Sequence, residues 1–230
     1  MAKDQFDAYS DRYIDTVEQS ISFSGLSHGF FQHSKALMIQ DLLALRLSER
    51  PNPKLLDVGC GVGALHPLIS PMFSSVEGVD VSIDSIARAR TENPDRKYEV
   101  YDGLTLPYDD DSFDMCLSIC VMHHVPPAHW DNFMAELNRV VSPGGLVCLI
   151  EHNPLNPATR LSVARCPFDA DAVLLGTRNM RRRMRKAGLI DVATRNFVFF
   201  PSNKSGFRKI ERRLHWLPLG AQYAAIGQVS

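Results

Sequence analysis

Apolar positions recur at two different periods along the chain. In the first fifty residues they fall three or four apart. Phe6, Tyr9, Tyr13 and Val17 share one face, which is the spacing of an amphipathic helix. A glycine- and serine-containing loop follows at 22–29, and a second helix is predicted over about 31–47. Pro51 and Pro53 then break the chain. From Lys54 the pattern changes to short apolar runs at 54–59, 76–81, 97–102, 112–121 and 145–153. Helical stretches begin at Asp84 and span about 127–140. Apolar runs of this length, alternating with helices, predict a parallel sheet covered on both faces. Residues 153–172 contain three prolines and little periodicity, and read as a loop. A helix over 177–187 ends at Gly188. A sixth strand is predicted at 192–200, a basic helix at 203–215 and a seventh strand at 221–229. Reached by a long connection, the last strand is expected to pair antiparallel with the sixth.

Composition narrows this little. The 230 residues carry 25 Lys+Arg and 26 Asp+Glu, with 45% hydrophobic residues. That is a globular chain of one α/β domain's size. The near-zero charge hides a split: 11 basic and 21 acidic residues in 1–150, against 14 basic and 5 acidic in 151–230. Five cysteines, Cys60, Cys116, Cys120, Cys148 and Cys166, have no zinc-type spacing, so no metal is expected and the thiols read as reduced. The N-terminus lacks an apolar leader, and no run is long enough to cross a bilayer. A cytoplasmic location is therefore expected.

Asp57-Val58-Gly59-Cys60-Gly61-Val62-Gly63 follows the first strand. Glycines let a ligand approach the backbone, and a helix opening behind them would offer N–H groups. Asp80 ends the second strand, where a carboxylate can accept both hydroxyls of a ribose. Two cofactors fit these facts alone. Gly59-x-Gly61-x-x-Ala64 satisfies a dinucleotide pattern. The carboxylate of Asp57, just before the glycines, opposes a pyrophosphate and suits a cationic ammonium group.

Further motifs favour the second cofactor. Asp102-Gly103-Leu104 through Asp114, then Met122-His123-His124-Val125-Pro126, then Glu136-Leu137-Asn138-Arg139-Val140-Val141-Ser142-Pro143-Gly144-Gly145 stand in order after the glycine loop. Together they resemble the class I S-adenosylmethionine-dependent methyltransferases, strongly over 54–152 and in outline elsewhere. The resemblance implies a Rossmann-like α/β fold: a seven-stranded, mostly parallel sheet sandwiched by helices, its last strand antiparallel. Residues 1–50 would form a helical cap on the main domain at 51–230. It implies S-adenosylmethionine as cofactor, with S-adenosylhomocysteine as product. The cofactor residues it implies are Tyr13, Asp57, Gly59, Gly61, Gly63, Asp80, Val81, Asp102, Gly103, Leu104, Cys120 and His124. Asp57 would take the ammonium, Asp80 the ribose and Asp102 the adenine. Pro143-Gly144-Gly145 reads as a turn ahead of the fifth strand.

Methyl transfer needs an acceptor held in line, and a base if the acceptor is a hydroxyl. Ligands of this fold lie outside the carboxyl ends of the strands. His152 and His123 sit at such ends and are the base candidates. Phe30, His33, Asn153 and Arg160 are candidates to contact the acceptor. The expected function is methylation of a small molecule, most readily at a hydroxyl. RNA modification and non-catalytic cofactor binding are the alternatives. Arginines and lysines crowd 178–186 and 204–213. They form either a solvated surface or a face for an anionic acceptor or membrane. Nucleic acid is disfavoured, because no aromatic-interleaved basic patch is present.

Overall fold

The computed structural model describes residues 13–230, with the side chains of 13–15 outside it. Phe6, Tyr9 and the Tyr13 side chain therefore lie outside the described residues. Helix α1 (Tyr13–Ile21) leads into α2 (His28–Arg46). Ser27 caps α2, its hydroxyl accepting from the Phe30 N–H at 3.2 Å. Then come β1 (Lys54–Val58), α3 (His66–Ile69), β2 (Ser75–Asp80), α4 (Ile83–Glu92), β3 (Lys97–Val100) and β4 (Phe113–Ile119). The chain continues through α5 (Trp130–Arg139), β5 (Val141–His152), α6 (Pro157–Arg165) and α7 (Thr177–Lys186). It ends with β6 (Ile190–Phe197), α8 (Ser205–Leu214) and β7 (Gln222–Gln228).

The seven strands form one sheet in the order β3-β2-β1-β4-β5-β7-β6. Pairing is parallel from β3 to β5, and β7 runs antiparallel to both β5 and β6. The last strand thus pairs with the sixth as expected and also inserts beside the fifth. Successive side chains point to opposite faces. Leu55, Met115, Leu117, Cys148 and Ile150 pack with Ile39 and Leu42 of α2. Leu56, Cys116, Val147 and Leu149 pack with Trp130, Phe133, Met134, Met180 and Met184 of α5 and α7. Strand order reverses between β1 and β4, so their carboxyl ends open a crevice at that edge.

Three expectations need correction. The helix after the glycine loop begins only at His66 and runs four residues, because Gly59, Gly61 and Gly63 all adopt positive φ and keep the chain in turns. Ser142 and Pro143-Gly144-Gly145 lie inside β5, where the register against β4 shifts. A Cβ on Gly145 would stand 2.6 Å from the Asp114 carbonyl oxygen, so close strand approach demands glycine. Finally, the loop at 153–172 contains helix α6. Pro157 opens it and the Asn156 side chain caps it, accepting from Thr159 N–H at 3.0 Å.

Four cations of the basic end pair with acidic residues of the other half. Arg183 and Lys186 reach Asp131 at 2.9 and 2.6 Å, and the Arg183 guanidinium lies 4.4 Å from the Trp130 ring centroid. Arg208 and Arg212 both pair with Asp41.

Candidate active site

A cavity of about 440 Å³ lies over the carboxyl ends of β1, β2 and β4. Its floor at one end is the glycine loop. Asp57 ends β1 and is buried. In the tautomer that carries its proton on Nε2, His66 donates to Asp57 Oδ2 at 3.0 Å and accepts from the Tyr98 hydroxyl at 2.6 Å. The other oxygen, Asp57 Oδ1, is buried and has no hydrogen-bond partner. A buried carboxylate oxygen left unpaired on a cavity wall is a receptor for a cation. Beside it, Asp80 Oδ2 accepts from Gly61 N–H and Oδ1 from Ser82 N–H, at 2.8 and 2.9 Å. Burial raises the Asp80 pKa, and those N–H groups oppose the rise. Each oxygen keeps a lone pair for a sugar hydroxyl.

Gly59 is forced by packing. Its φ is +77°, and a Cβ there would lie 2.3 Å from Val121 Cγ2. Replacing it with alanine adds left-handed strain to an overpacked contact, together about 2–4 kcal/mol. Gly59→Ala is expected to lower Tm by about 5–10 °C in scanning calorimetry, and an unchanged Tm would refute this reading of the turn. A Cβ on Gly61, by contrast, would meet nothing within 4 Å, so its wall is open to a ligand.

The opposite end of the cavity is built from histidines. Cys120 follows β4 with φ +55°, a sparsely populated conformation that turns the chain sharply. His123 and His124 follow on a short 3-10 turn, and His152 ends β5. Glu151, 2% exposed, accepts from Val121 and Met122 N–H groups through Oε1 and stands 2.5 Å from His123 Nδ1 through Oε2. On its other side, His123 Nε2 is 3.3 Å from Asp169 Oδ1, as is His124 Nε2. Burial opposes charge on His123, but the flanking Glu151 and Asp169 carboxylates outweigh it and raise its pKa well above the usual value. His152 behaves oppositely. Burial, helped by the charge on His123, pushes it down to about 4. Two adjacent imidazoles are thus driven to different protonation states. Burial lifts the Cys120 thiol to about 11, which leaves it inert as a nucleophile.

Of the expected site residues, Asp57, Gly59, Gly61, Asp80, Val81, Cys120, His123, His124 and His152 line this cavity. Eight others do not. Gly63 faces the Tyr98 hydroxyl. Asp102 is exposed, with Oδ1 accepting from the Leu104 and Thr105 N–H groups. Gly103 packs against Val81, and Leu104 is exposed. Phe30 stacks edge-on against Phe31, and His33 and Arg160 are exposed. Asn153 is buried with its amide donating to the Pro218 and Gly220 carbonyls and its oxygen accepting from Leu155 N–H. These three bonds make it a brace between the end of β5 and the segment before β7. Conversely, Lys35, Phe168, Asp169, Phe199, Phe200 and Gln222 line the cavity and are not among the site residues expected from the sequence. His28, Phe31 and Lys35 stand at helical spacing on α2, a signal that was available.

Sheet order, reversed final strand and glycine loop define a class I methyltransferase fold. Residues 56–149 match the family model described as "Methyltransferase domain". The chain is 35% identical over 136 residues to 24-methylenesterol C-methyltransferase 2 of Arabidopsis thaliana, covering 56% of this chain and 37% of that one. It is 30% identical over 154 residues to 27-O-demethylrifamycin SV methyltransferase of Amycolatopsis mediterranei, covering 60% and 55%. The chain thus spans about a third to a half of the length of these curated relatives. Among solved structures, a SAM-dependent methyltransferase from Thermotoga maritima superposes with TM-score 0.70 at 17% identity, over 98% of this chain and 99% of that one. Residues 56–149 thus match a methyltransferase-domain family, on a chain with the fold of class I S-adenosylmethionine-dependent methyltransferases. The cofactor fits the residues present: the unpaired Asp57 Oδ1 suits its ammonium, Asp80 its ribose, and the open side of Gly61 its close approach.

Proposed function

We propose that the protein methylates a hydroxyl on a small molecule with an apolar body. One observation carries this reading. The cavity joins the cofactor-type end at Asp57 and Asp80 to the histidine end at His123 and His152, and Phe31, Phe168, Phe199 and Phe200 line it. S-adenosylmethionine supplies an activated methyl group on a sulfonium. Asp57 would hold its ammonium and Asp80 its ribose. Asp102, Gly103 and Leu104 would contact the adenine on this reading, which the closeness of Gly103 to the cavity-lining Val81 supports. The segment at 1–50 would act as a cap, which the cavity-lining residues Ile21, Phe23, His28 and Lys35 support.

The proton of the acceptor hydroxyl goes to His152 on this reading. His123, held charged between Glu151 and Asp169, has no lone pair to offer, whereas the lowered pKa keeps His152 neutral. Lys35 gives the cavity wall a positive charge, so an acceptor carrying an acidic group is accommodated there rather than on the arginine-rich helices. Among the described residues no helix is long and apolar enough to cross a membrane, and a cytoplasmic enzyme is the matching location.

Calorimetry with S-adenosylhomocysteine tests the cofactor half. Absence of binding up to millimolar ligand would overturn it. For the acceptor half, His152→Ala is expected to cut turnover on a hydroxyl acceptor by roughly 10²-fold or more with S-adenosylhomocysteine affinity kept. Unchanged turnover would remove His152 from the chemistry.

A further inference from the structure

The histidine end of the cavity has more ligand-type atoms than proton transfer requires. One ligand atom each from His123, His152 and Asp169 lies within 4.8 Å of the others. Around a first-row divalent ion, bonds of about 2.0–2.2 Å place tetrahedral ligand atoms roughly 3.3–3.6 Å apart. His123 Nε2 and Asp169 Oδ1, at 3.3 Å, already have that separation. The third atom lies within 4.8 Å of these two, so tetrahedral ligation asks for an approach of up to about 1.4 Å, within reach of a side-chain rotation at the end of β5.

Three further observations point to a ligand here. His123 is 1% exposed, and its buried Nε2 faces Asp169 Oδ1 at 3.3 Å without reaching good hydrogen-bond geometry. Its other nitrogen faces Glu151 at 2.5 Å, and Glu151 is fixed in turn by two backbone N–H groups. A carboxylate behind an imidazole is the arrangement that orients a histidine toward a metal. Charge also fits. Glu151 and Asp169 are both carboxylates in a buried site, and Lys35 on the cavity wall offsets one of them. The three sum to −1 before any imidazole is counted.

We propose that His123 Nε2, His152 and Asp169 bind a divalent transition-metal ion, with Glu151 orienting His123 and open coordination positions facing the cavity. Two imidazoles and one carboxylate suit zinc, cobalt(II) or iron(II) better than magnesium or calcium, which prefer all-oxygen sites. Resting on the methyl-transfer reading, the open positions would take an acceptor that presents a hydroxyl with a second oxygen beside it. In that state His152 is a ligand, the ion would lower the pKa of the bound hydroxyl, and its proton would pass to solvent water in the cavity.

The test uses the full chain, stripped with a chelator and titrated with cobalt(II), followed by absorption and by zinc competition. One equivalent should bind saturably, with the intense visible bands of a low-coordinate site, and zinc should displace it. His152→Ala and Asp169→Asn should each weaken binding at least 10-fold. His129→Ala, on the exposed turn before α5, should leave it unchanged. S-adenosylhomocysteine affinity, measured on the same metal-free samples, certifies that a variant is folded and tests the cofactor reading separately. Failure of saturable uptake by the wild type, or uptake unchanged in a variant that still binds S-adenosylhomocysteine, overturns the metal site. The methyltransferase reading then stands with His152 as base.

Discussion

Asp57→Asn is expected to weaken S-adenosylhomocysteine binding about 100-fold while leaving the fold intact. Asp57 Oδ2 is engaged by His66, itself held by Tyr98. This buried relay aims the carboxylate, and the unpaired Oδ1 is left on the cavity wall. An ammonium there would gain about 4 kcal/mol of attraction at an effective dielectric near 20. Desolvation removes part of it, and a net of roughly 2–3 kcal/mol corresponds to about 100-fold in affinity. Asparagine keeps the shape and can still accept from His66, but it turns an N–H₂ donor toward the cationic group. Calorimetry gives the affinity, and a thermal melt gives the fold. Equal affinity in wild type and variant would move the ammonium site elsewhere. A collapse of Tm with lost binding would show that Asp57 acts chiefly through the His66–Tyr98 relay.

That carboxylate could be read in the sequence because the strand, acid and glycine turn are consecutive. The five parallel strands were legible for the same reason: apolar runs of 54–59 or 112–121 report their own burial. The cofactor end is therefore local information. The histidine end is not. His123 follows β4, Glu151 and His152 end β5, Asp169 comes from the turn after α6, and Lys35 lies on the cap helix α2. Their association depends on strand order, which no spacing along the chain encodes. Asp169 also sat in a segment that reads as aperiodic, since α6 is short, opens on a proline and has a weak apolar stripe. Asn153 shows the converse limit. A polar residue at a strand end suggested substrate contact, yet its partners are carbonyls 65 and 67 residues away. Part of the charge split between the halves likewise ends in ion pairs across the fold, Asp131 with α7 and Asp41 with α8.

The largest stability effect should come from the buried group that organises the histidine end. Glu151→Ala leaves the His123 imidazole without its carboxylate and the Val121 and Met122 N–H groups without an acceptor. Removing one partner of a buried pair costs about 3–5 kcal/mol, a fall in Tm of about 10 °C for a chain of this size. The effect should depend on pH in a defined direction. Burial opposes charge on Glu151, but His123 outweighs it and lowers the Glu151 pKa, so its contribution is full above the ordinary value of 4.5 and is lost as pH falls. The raised His123 contributes fully below 6.5 and loses its contribution as pH climbs through its elevated value. The gap between wild type and variant should therefore be widest between about pH 4.5 and 6.5. His152 adds a separate acid limb. With its pKa pushed down to about 4, it favours the folded state while neutral, and that support is lost between pH 6.5 and 4 in both proteins. Because Glu151 and His123 both act on His152, this limb shifts in the variant, and repeating the comparison in a His152→Ala background isolates the Glu151–His123 gap. Melts of the two proteins across pH 4–9 provide the measurement. A gap that is small, or that keeps widening toward pH 9, would show that Glu151 and His123 do not share a stabilising charge pair.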